Sequence, residues 1–373
     1  MRLADVVALI EDWYPPQRAE GWDAVGLVCG DPDADVRRIL LAVDPVLAVA
    51  DEAVAAGADL VIVHHPLFLR GTSSVAATTP KGRVVHRLVA NGCGLLAAHT
   101  NADVPAGGVS ESMAFALGLR DVIPLAPDPS EERDKLVVFV PVGAAEAVRE
   151  ALTGAGAGAI GDYDSATFTS AGEGRFRPLP GADPAIGRIG ELETVDEVRI
   201  EVLLDRRLRN QVVTAMLRAH PYEEPAYDVI PLASVDDPTR GSGRIGWLTE
   251  PMTLADFAAQ VSQSLPKTAH GVRVAGDPEA SVETVAVCGG SGDFLLDRAR
   301  AAGANVYVTS DLRHHPASEL REHSDSPALV DVAHWAAEWT WLPVLRDRLV
   351  GALGDTVEVH VSTTNTDPWT FRV

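Results

Sequence analysis

Apolar residues fall into short continuous runs and into stretches with helical spacing, and the two kinds alternate along much of the chain. The alternation is clearest in two segments that follow one plan. Ile39 to Pro66 reads ILLAVDP, a helical VADEAVAAGAD, the run LVIV and then His-His-Pro. Val285 to Pro316 reads VAVCGG, a helical FLLDRARAAGAN, the run VYVT and, after Ser310 to Arg313, a second His-His-Pro. Both copies carry Ala-Ala-Gly-Ala ahead of the second strand. Downstream, GLLAAHT ending at Thr100 matches ALVDVAHW ending at Trp335, so His99 and His334 fall at equivalent ends of a third strand. This repeat predicts two related α/β halves, with functional groups gathered where the carboxyl ends of the strands open into loops.

The segment from about 131 to 235 breaks the pattern. KLVVFVPV, a helical AAEAVREALTGAG, a polar hairpin-like YDSATFTS, VRIEVLLD, a helical RNQVVTAMLRAH and AYDVIPL predict an inserted ferredoxin-like α+β sandwich. Gly172 to Gly187 is expected to form surface loops, and Asp236 to Gly246 returns the chain to the second half. The expected organisation is an α/β half over 1–130, the insert over 131–235 and the second α/β half over 236–373.

At 373 residues the chain exceeds what one core usually serves. Its 46% hydrophobic and 23% charged residues are ordinary for a soluble globular protein. The formal net charge of -22 opposes a phosphate backbone, so no nucleic-acid partner is expected. Cys29, Cys93 and Cys288 are odd in number and widely spaced, which suggests neither a disulfide framework nor a zinc knuckle. Met1 to Pro15 carries acidic residues and no apolar run reaches membrane-spanning length, so a cytoplasmic location without membrane attachment is expected.

The candidate chemistry lies at the strand ends. His64 and His65 follow LVIV, and neighbouring strand residues face opposite ways. Both can bind metal only if the strand is ending or if two ions lie side by side; an isolated pair is more often one backbone-bonded and one solvated imidazole. His334 and Glu338, four apart in HWAAE, share a helix face, a spacing that is common on helix surfaces and gains weight here because His334 stands at the repeat's matching strand end. Asp103 in HTNADVPAGG is placed in a loop from which it reaches the same strand ends, with an Asx-turn or cap as its alternative role. His99 is either a further ligand or a group that orients one, and the second role is favoured.

Three histidines and two carboxylates exceed the ligand set of one tetrahedral zinc, so a dinuclear centre with a bridging group accounts for them more economically. Mixed nitrogen and oxygen ligation suits zinc, iron or manganese. Two such ions would activate water, which makes hydrolysis the natural reaction class. GGSGDF, Gly289 to Phe294, joins a strand to a helix and would either cradle a phosphate or form a tight turn.

These motifs together resemble the family of GTP cyclohydrolase I type 2 homologues, the Nif-three-like dinuclear metal proteins. The resemblance spans nearly the whole chain and rests on GWDAVGL (Gly21 to Leu27), VIVHHPLF (Val61 to Phe68), AHTNADVPAGGV (Ala98 to Val109), CGGSGDF (Cys288 to Phe294), TSDLRHH (Thr309 to His315) and DVAHWAAEW (Asp331 to Trp339). It implies metal ligands at His64, His65, Asp103, His334 and Glu338, and a toroidal homohexamer. The insert, including HPYEEPAYDVIPL from His220, resembles the PII-like or CutA-like domain that caps the ring in longer members, so His220 is expected to be structural. Ala24 stands where the family's WDN motif has Asn, and Ser310 where Gly usually precedes the acidic residue; Asp23 and Asp311 are retained. The implied function is a metal-dependent hydrolase of a nucleotide or phosphorylated small molecule, with His99 and His314 or His315 supplying hydrogen bonds or proton transfer. Its alternative is a protein that stores, delivers or senses metal without catalysis.

Overall fold

The computed structural model describes residues 1–373, the side chain of Asp355 excepted. The chain divides into two compact units, Met1–Asp128 with Pro238–Val373, and Pro129–Asp237. The first part of the chain forms α1 (Leu3–Trp13), β1 (Gly26–Cys29), β2 (Arg38–Ala42), α2 (Leu47–Ala56), β3 (Leu60–Val63), α3 (Pro80–Val89), β4 (Gly94–Ala97), α4 (Thr100–Asp103), α5 (Val109–Ala116) and β5 (Arg120–Pro129). Then come β6 (Arg133–Pro141), α6 (Ala145–Gly154), β7 (Thr167–Phe176), β8 (Glu193–Asp205), α7 (Arg209–Ala219) and β9 (Tyr227–Pro231). The remainder forms β10 (Asp236–Thr253), α8 (Leu254–Ser264), β11 (Val272–Ala275), β12 (Ser281–Ser291), α9 (Leu296–Ala301), β13 (Val306–Ser310), α10 (His314–Arg321), β14 (Ala328–Val332), α11 (His334–Trp339), α12 (Trp341–Leu353) and β15 (Glu358–Val361).

The sequence repeat reappears as a repeat of topology. One sheet runs β1-β4-β3-β2-β15 and another β11-β14-β13-β12-β10-β5. In each, three consecutive strands lie parallel and an earlier strand closes the outer edge antiparallel, β1 on β4 and β11 on β14. The parallel strands are buried on both faces, which is why they read as unbroken apolar runs. Alternate residues serve different layers: Ile39, Leu41, Leu60 and Ile62 enter the central core, while Leu40, Ala42, Val61 and Val63 pack beneath α2 and α3. The central core also takes Val285, Val287, Val306, Val308 and Val330 from the other sheet, with α5, α8, α11 and α12 supplying side chains such as Met113, Phe257, Ala337 and Trp341. Ala286, Tyr307 and Leu329 face the opposite way, onto α9 and α10. Both halves therefore share one core in the first unit.

The repeated Ala-Ala-Gly-Ala has a physical cause. Gly57 (φ +65°) and Gly303 (φ +71°) occupy the left-handed region just past α2 and α9, where glycine ends a helix at little cost. The same pair of hydrogen bonds closes each helix: Gly57 and Ala58 donate to Val54 and Ala53, and Gly303 and Ala304 to Arg300 and Ala299. The next residue completes the motif. Asp59 Oδ2 accepts the backbone N–H groups of Arg37 and Arg38 at 2.8 and 2.9 Å, and Asn305 Oδ1 those of Glu283 and Thr284 at 3.0 and 2.8 Å. Each side chain thus locks the start of one parallel strand to the start of the next.

The second unit is a four-stranded antiparallel sheet, β7-β8-β6-β9, in a βαββαβ chain order. Leu136, Val138, Ile200 and Val202 on one face meet Val148 and Leu152 of α6 and Val212 and Met216 of α7. Gly172 to Phe176, expected as loop, lies within β7. The long partner β8 pairs with it from Thr167↔Val202 to Phe176↔Glu193, satisfying backbone groups that the glycine-rich composition could not hold extended alone. No described helix is long and apolar enough to cross a membrane.

Two substitutions in the second copy of the repeat separate helix termination from strand locking. Gly303→Ala strains a left-handed position with open space around it and is expected to cost about 1–2 kcal/mol. Asn305→Ala removes the acceptor of two backbone N–H groups and is expected to cost about 1–3 kcal/mol. Shifts in the urea midpoint against the parent protein check both; an unchanged midpoint for Asn305→Ala would show that the lock carries no stability.

Candidate functional site

The carboxyl ends of the parallel strands of both sheets converge. Asp44 follows β2, His64 and His65 follow β3, and His99 follows β4; Gly290 lies near the end of β12, Asp311 follows β13 and His334 follows β14. Glu338 comes from α11, one turn after His334. All lie in the first unit.

Glu338 is at the centre, 3% exposed, with both oxygens aimed at imidazoles. Its Oε1 is 2.8 Å from His334 Nε2 and 3.5 Å from His64 Nε2, and its Oε2 is 3.0 Å from His65 Nε2. Asp103 Oδ1 lies 3.5 Å from His64 Nε2 on the other side. The Nε2 atoms of His65 and His334 face each other at 3.2 Å. Ring nitrogens of His64, His65 and His99 lie within 4.8 Å of one another, and the same holds for the donor atoms of His65, His334 and Glu338. The two groups share His65. Despite these approaches, His64 Nε2 and Glu338 Oε2 are buried without a hydrogen-bond partner.

The Nδ1 atoms of the four rings are all committed. His64 Nδ1 meets the carbonyl oxygen of Ala98 at 3.0 Å, His65 Nδ1 meets Asp44 Oδ1 at 2.7 Å, His99 Nδ1 meets Asp23 Oδ1 at 2.9 Å and His334 Nδ1 meets Asp311 Oδ2 at 2.7 Å. A carbonyl or an ionised carboxylate can only accept, so each Nδ1 carries the proton and, in the neutral ring, each Nε2 presents a lone pair. The orienting groups are themselves held. Thr366 donates its hydroxyl to Asp44, and the Thr100 hydroxyl donates to Asp23 at 2.5 Å. Asp311 sits at φ +57°, a region non-glycine residues seldom occupy, and Asp331 anchors the next residue by accepting the Leu312 N–H at 3.1 Å.

Electrostatics follow from this packing. Burial opposes a charge on His65, but Glu338 and Asp44 outweigh it and lift its pKa to about 10. His334 is likewise opposed by burial, then raised by Glu338 and Asp311 to about 11. Burial pushes Asp103 up to about 6, against the pull of His64. Burial would also raise Glu338, yet His65, His64 and His334 hold it well below the usual carboxylate range.

The sequence and the structure place most of the expected residues together. His64, His65, Asp103, His334 and Glu338 all border the cluster, and so does His99. Asp103 ends the one-turn helix α4 rather than lying in a loop; Asn101 within the turn ties it down, accepting the His99 N–H at 2.9 Å and donating to the carbonyl of Tyr14 at 2.6 Å. His314 and His315 are not brought in: both are exposed at the start of α10, and His314 lines a separate hollow with Arg313 and Arg321. The four residues that lengthen the second copy carry its His-His pair past the strand end, and Asp311 stands there instead. Asp44 was missed, although its place after ILLAV, ahead of a helical stretch, is the signal that would have found it. The glycines of GGSGDF have a steric reason: Gly290 is at φ +74°, and a Cβ there would lie 2.7 Å from Glu338 Oε1.

A cavity of about 420 Å³ opens beside the cluster, bordered by His65, His99, Asp103, His334 and Glu338 and flanked by the exposed rings of Trp22 and Phe294. This constellation is distributed across nearly the full chain, and so is the likeness to known proteins. Residues 1–368 match DUF34/NIF3 (NGG1p interacting factor 3). The chain belongs to the DUF34/NIF3 family. It is 50% identical over 371 residues to the Mycobacterium tuberculosis protein named GTP cyclohydrolase 1 type 2 homolog, covering 99% of this chain and 97% of the relative. The Bacillus subtilis protein of the same name is 38% identical over 369 residues, covering 98% and 97%. Among solved structures of the family, a Bacillus cereus protein related to NIF3 superposes with a TM-score of 0.75 at 40% identity, covering 100% of this chain and 99% of that one. A Staphylococcus aureus protein does so with a TM-score of 0.84 at 29% identity, again covering 100% and 99%.

In chelator-treated protein, His65 and His334 take up protons on folding, since their folded pKa values of about 10 and 11 lie above the ordinary imidazole value of about 6.5. Their contribution to stability is complete below about pH 6.5 and is lost as pH rises towards 10. The expected observation is a falling melting temperature across that window, steeper than in His334→Gln; equal slopes would contradict the assignment.

Proposed function

We propose that this family member holds two divalent cations between its α/β halves and is a metal-dependent hydrolase acting on a nucleotide or related phosphorylated small molecule. One observation carries the reading. Four inward-facing donor atoms meet in a buried space: the Nε2 atoms of His65 and His334 lie 3.2 Å apart, each with its Nδ1 proton already committed, and His64 Nε2 and Glu338 Oε2 have no hydrogen-bond partner. One cation would take the lone pairs of His65 and His334 and a second that of the orphaned His64 Nε2, and their charge would meet the unpartnered Glu338 Oε2. The donor set fits. His64, Asp103 and Glu338 would hold one ion and His65, His334 and Glu338 the other, with Glu338 facing both. Nitrogen and carboxylate donors suit zinc, iron or manganese.

The chain's own residues then have separable tasks. Asp44, Asp311 and Asp23 fix the tautomer and ring plane of His65, His334 and His99, which keeps the lone pairs aimed inward. His99, backed by Asp23 and bordering the cavity, is positioned to accept or return a proton. The bound cations would supply Lewis acidity, lowering the pKa of a coordinated water and polarising the bond to be cleaved. Among the described residues no Lys or Arg lines the cavity, so an anionic substrate would find its counter-charge in the cations. The cavity separates this reading from metal storage, which needs the ligands but not the space beside them.

Three measurements test it. Elemental analysis of purified protein should find two divalent ions per chain, with stoichiometric binding lost in Glu338→Ala. Asp44→Asn and Asp311→Asn should each weaken metal binding about 10–100-fold while the fold persists. Because the ion displaces protons from His65 and His334, apparent affinity should rise with pH through the neutral range, with proton release seen by calorimetry in buffers of different ionisation heat. Full metal occupancy without turnover of any nucleotide or phosphoester would sink the hydrolase reading and leave the storage or delivery alternative; absence of metal binding would sink both.

A further inference from the structure

The second unit has a cavity of its own, about 570 Å³, on the sheet face turned away from α6 and α7. Cross-strand pairing places Phe139, Glu197 and Arg199 on that face, opposite the side chains that enter the unit's core. Gly172 and Gly174 occupy the same face of β7, where the missing side chains leave room over the strand. Phe139, Phe176 and Tyr222 form aromatic walls, Phe176 and Tyr222 meeting edge to face with centroids 5.5 Å apart.

Glu197 lies within this apolar surround. It is 9% exposed, its carboxylate presses on Gly174, and Tyr222 donates its hydroxyl to Oε1 at 2.9 Å. Burial and the Glu197 acceptor both raise the Tyr222 pKa, so the phenol stays a donor. The turn that presents Tyr222 is fixed by His220, whose Nε2 donates to the carbonyl of Phe139 at 2.9 Å and whose Nδ1 accepts the Tyr222 N–H at 3.1 Å. His220 therefore orders the wall of a cavity. The two cations lining the cavity are already paired, Arg199 with Glu201 at 3.1 Å and Arg175 with Glu173 at 2.8 Å. Among the described residues no Lys or Arg is paired with Glu197.

A buried carboxylate among three aromatic rings has the chemistry of an organic-cation site: the rings attract positive charge through their faces, and the carboxylate supplies a desolvated counter-ion. We infer that the Pro129–Asp237 unit binds a small organic cation, an amine or amidine carried on an apolar or planar body, with Glu197 as counter-ion and Phe139, Phe176 and Tyr222 as its cage. The site is separate in sequence and chemistry from the histidine cluster, and its excess of carboxylates disfavours anionic ligands.

The test uses the full chain and three cationic probes, benzamidine, tyramine and tetraethylammonium, each against a neutral isostere, with benzoate as the anionic control. Saturation-transfer NMR and calorimetry should show saturable binding of at least one cation, at least tenfold tighter than its isostere and than benzoate. Glu197→Gln should erase that preference, and Phe176→Leu should weaken binding several-fold, both with unchanged metal content and a melting temperature near the parent's. Failure of all three cations to bind, equal affinity for cation and isostere, or full retention of preference in a folded Glu197→Gln protein would each overturn the proposal.

Discussion

The first unit is organised around the placement of the Glu338 carboxylate among three imidazoles in a buried setting. Carboxylate burial is costly unless the charge is met, and here His64, His65 and His334 meet it from three directions. The other end of each ring must then be satisfied. Ala98, Asp44 and Asp311 do this, and they come from the ends of neighbouring strands or the residues just beyond them. Gly290 belongs to the same constraint, since any side chain there would intrude on Glu338.

This explains why the two halves share a core rather than folding as separate lobes. Each α/β half supplies part of the polar cluster, so its geometry is defined only when both sheets pack on the same helices. Trp341 shows the coupling: fully buried between the halves, it donates its indole N–H to Tyr14 at 3.2 Å and sets its ring edge against His64, 5.6 Å between centroids. The last strand, β15, adds the end of the chain to the first sheet beside β2, and the tail beyond it returns Thr366 to Asp44. Two residues 322 positions apart thus meet behind one imidazole.

The second unit solves a different problem with the same economy of groups. One face of its sheet is sealed by helices, while the other keeps two glycines, three aromatic rings and a buried carboxylate around an open volume. A sheet face needed only for packing would more simply be filled with aliphatic side chains.

The sequence by itself determined the internal repeat, because Ala-Ala-Gly-Ala followed by Asp59 or Asn305 is a local device whose helix end and strand lock need only nearby backbone. It also pointed to His64, His65, His99, His334 and Glu338, because strand-end histidines and an i, i+4 His and Glu pair are positions that local periodicity reveals, whereas Asp103 was marked only by its place after a strand. Tertiary structure alone decided which His-His pair faces inward. The second copy has the same letters as the first, but its longer connection carries His314 and His315 past the strand end and leaves Asp311 against His334. It alone assigned Asp44 and Thr366, separated by most of the chain, to a single ring, and it alone gave Gly290 and Gly174 their meaning. Those roles depend on what approaches from another element, and no pattern along one strand records the distance to its neighbour.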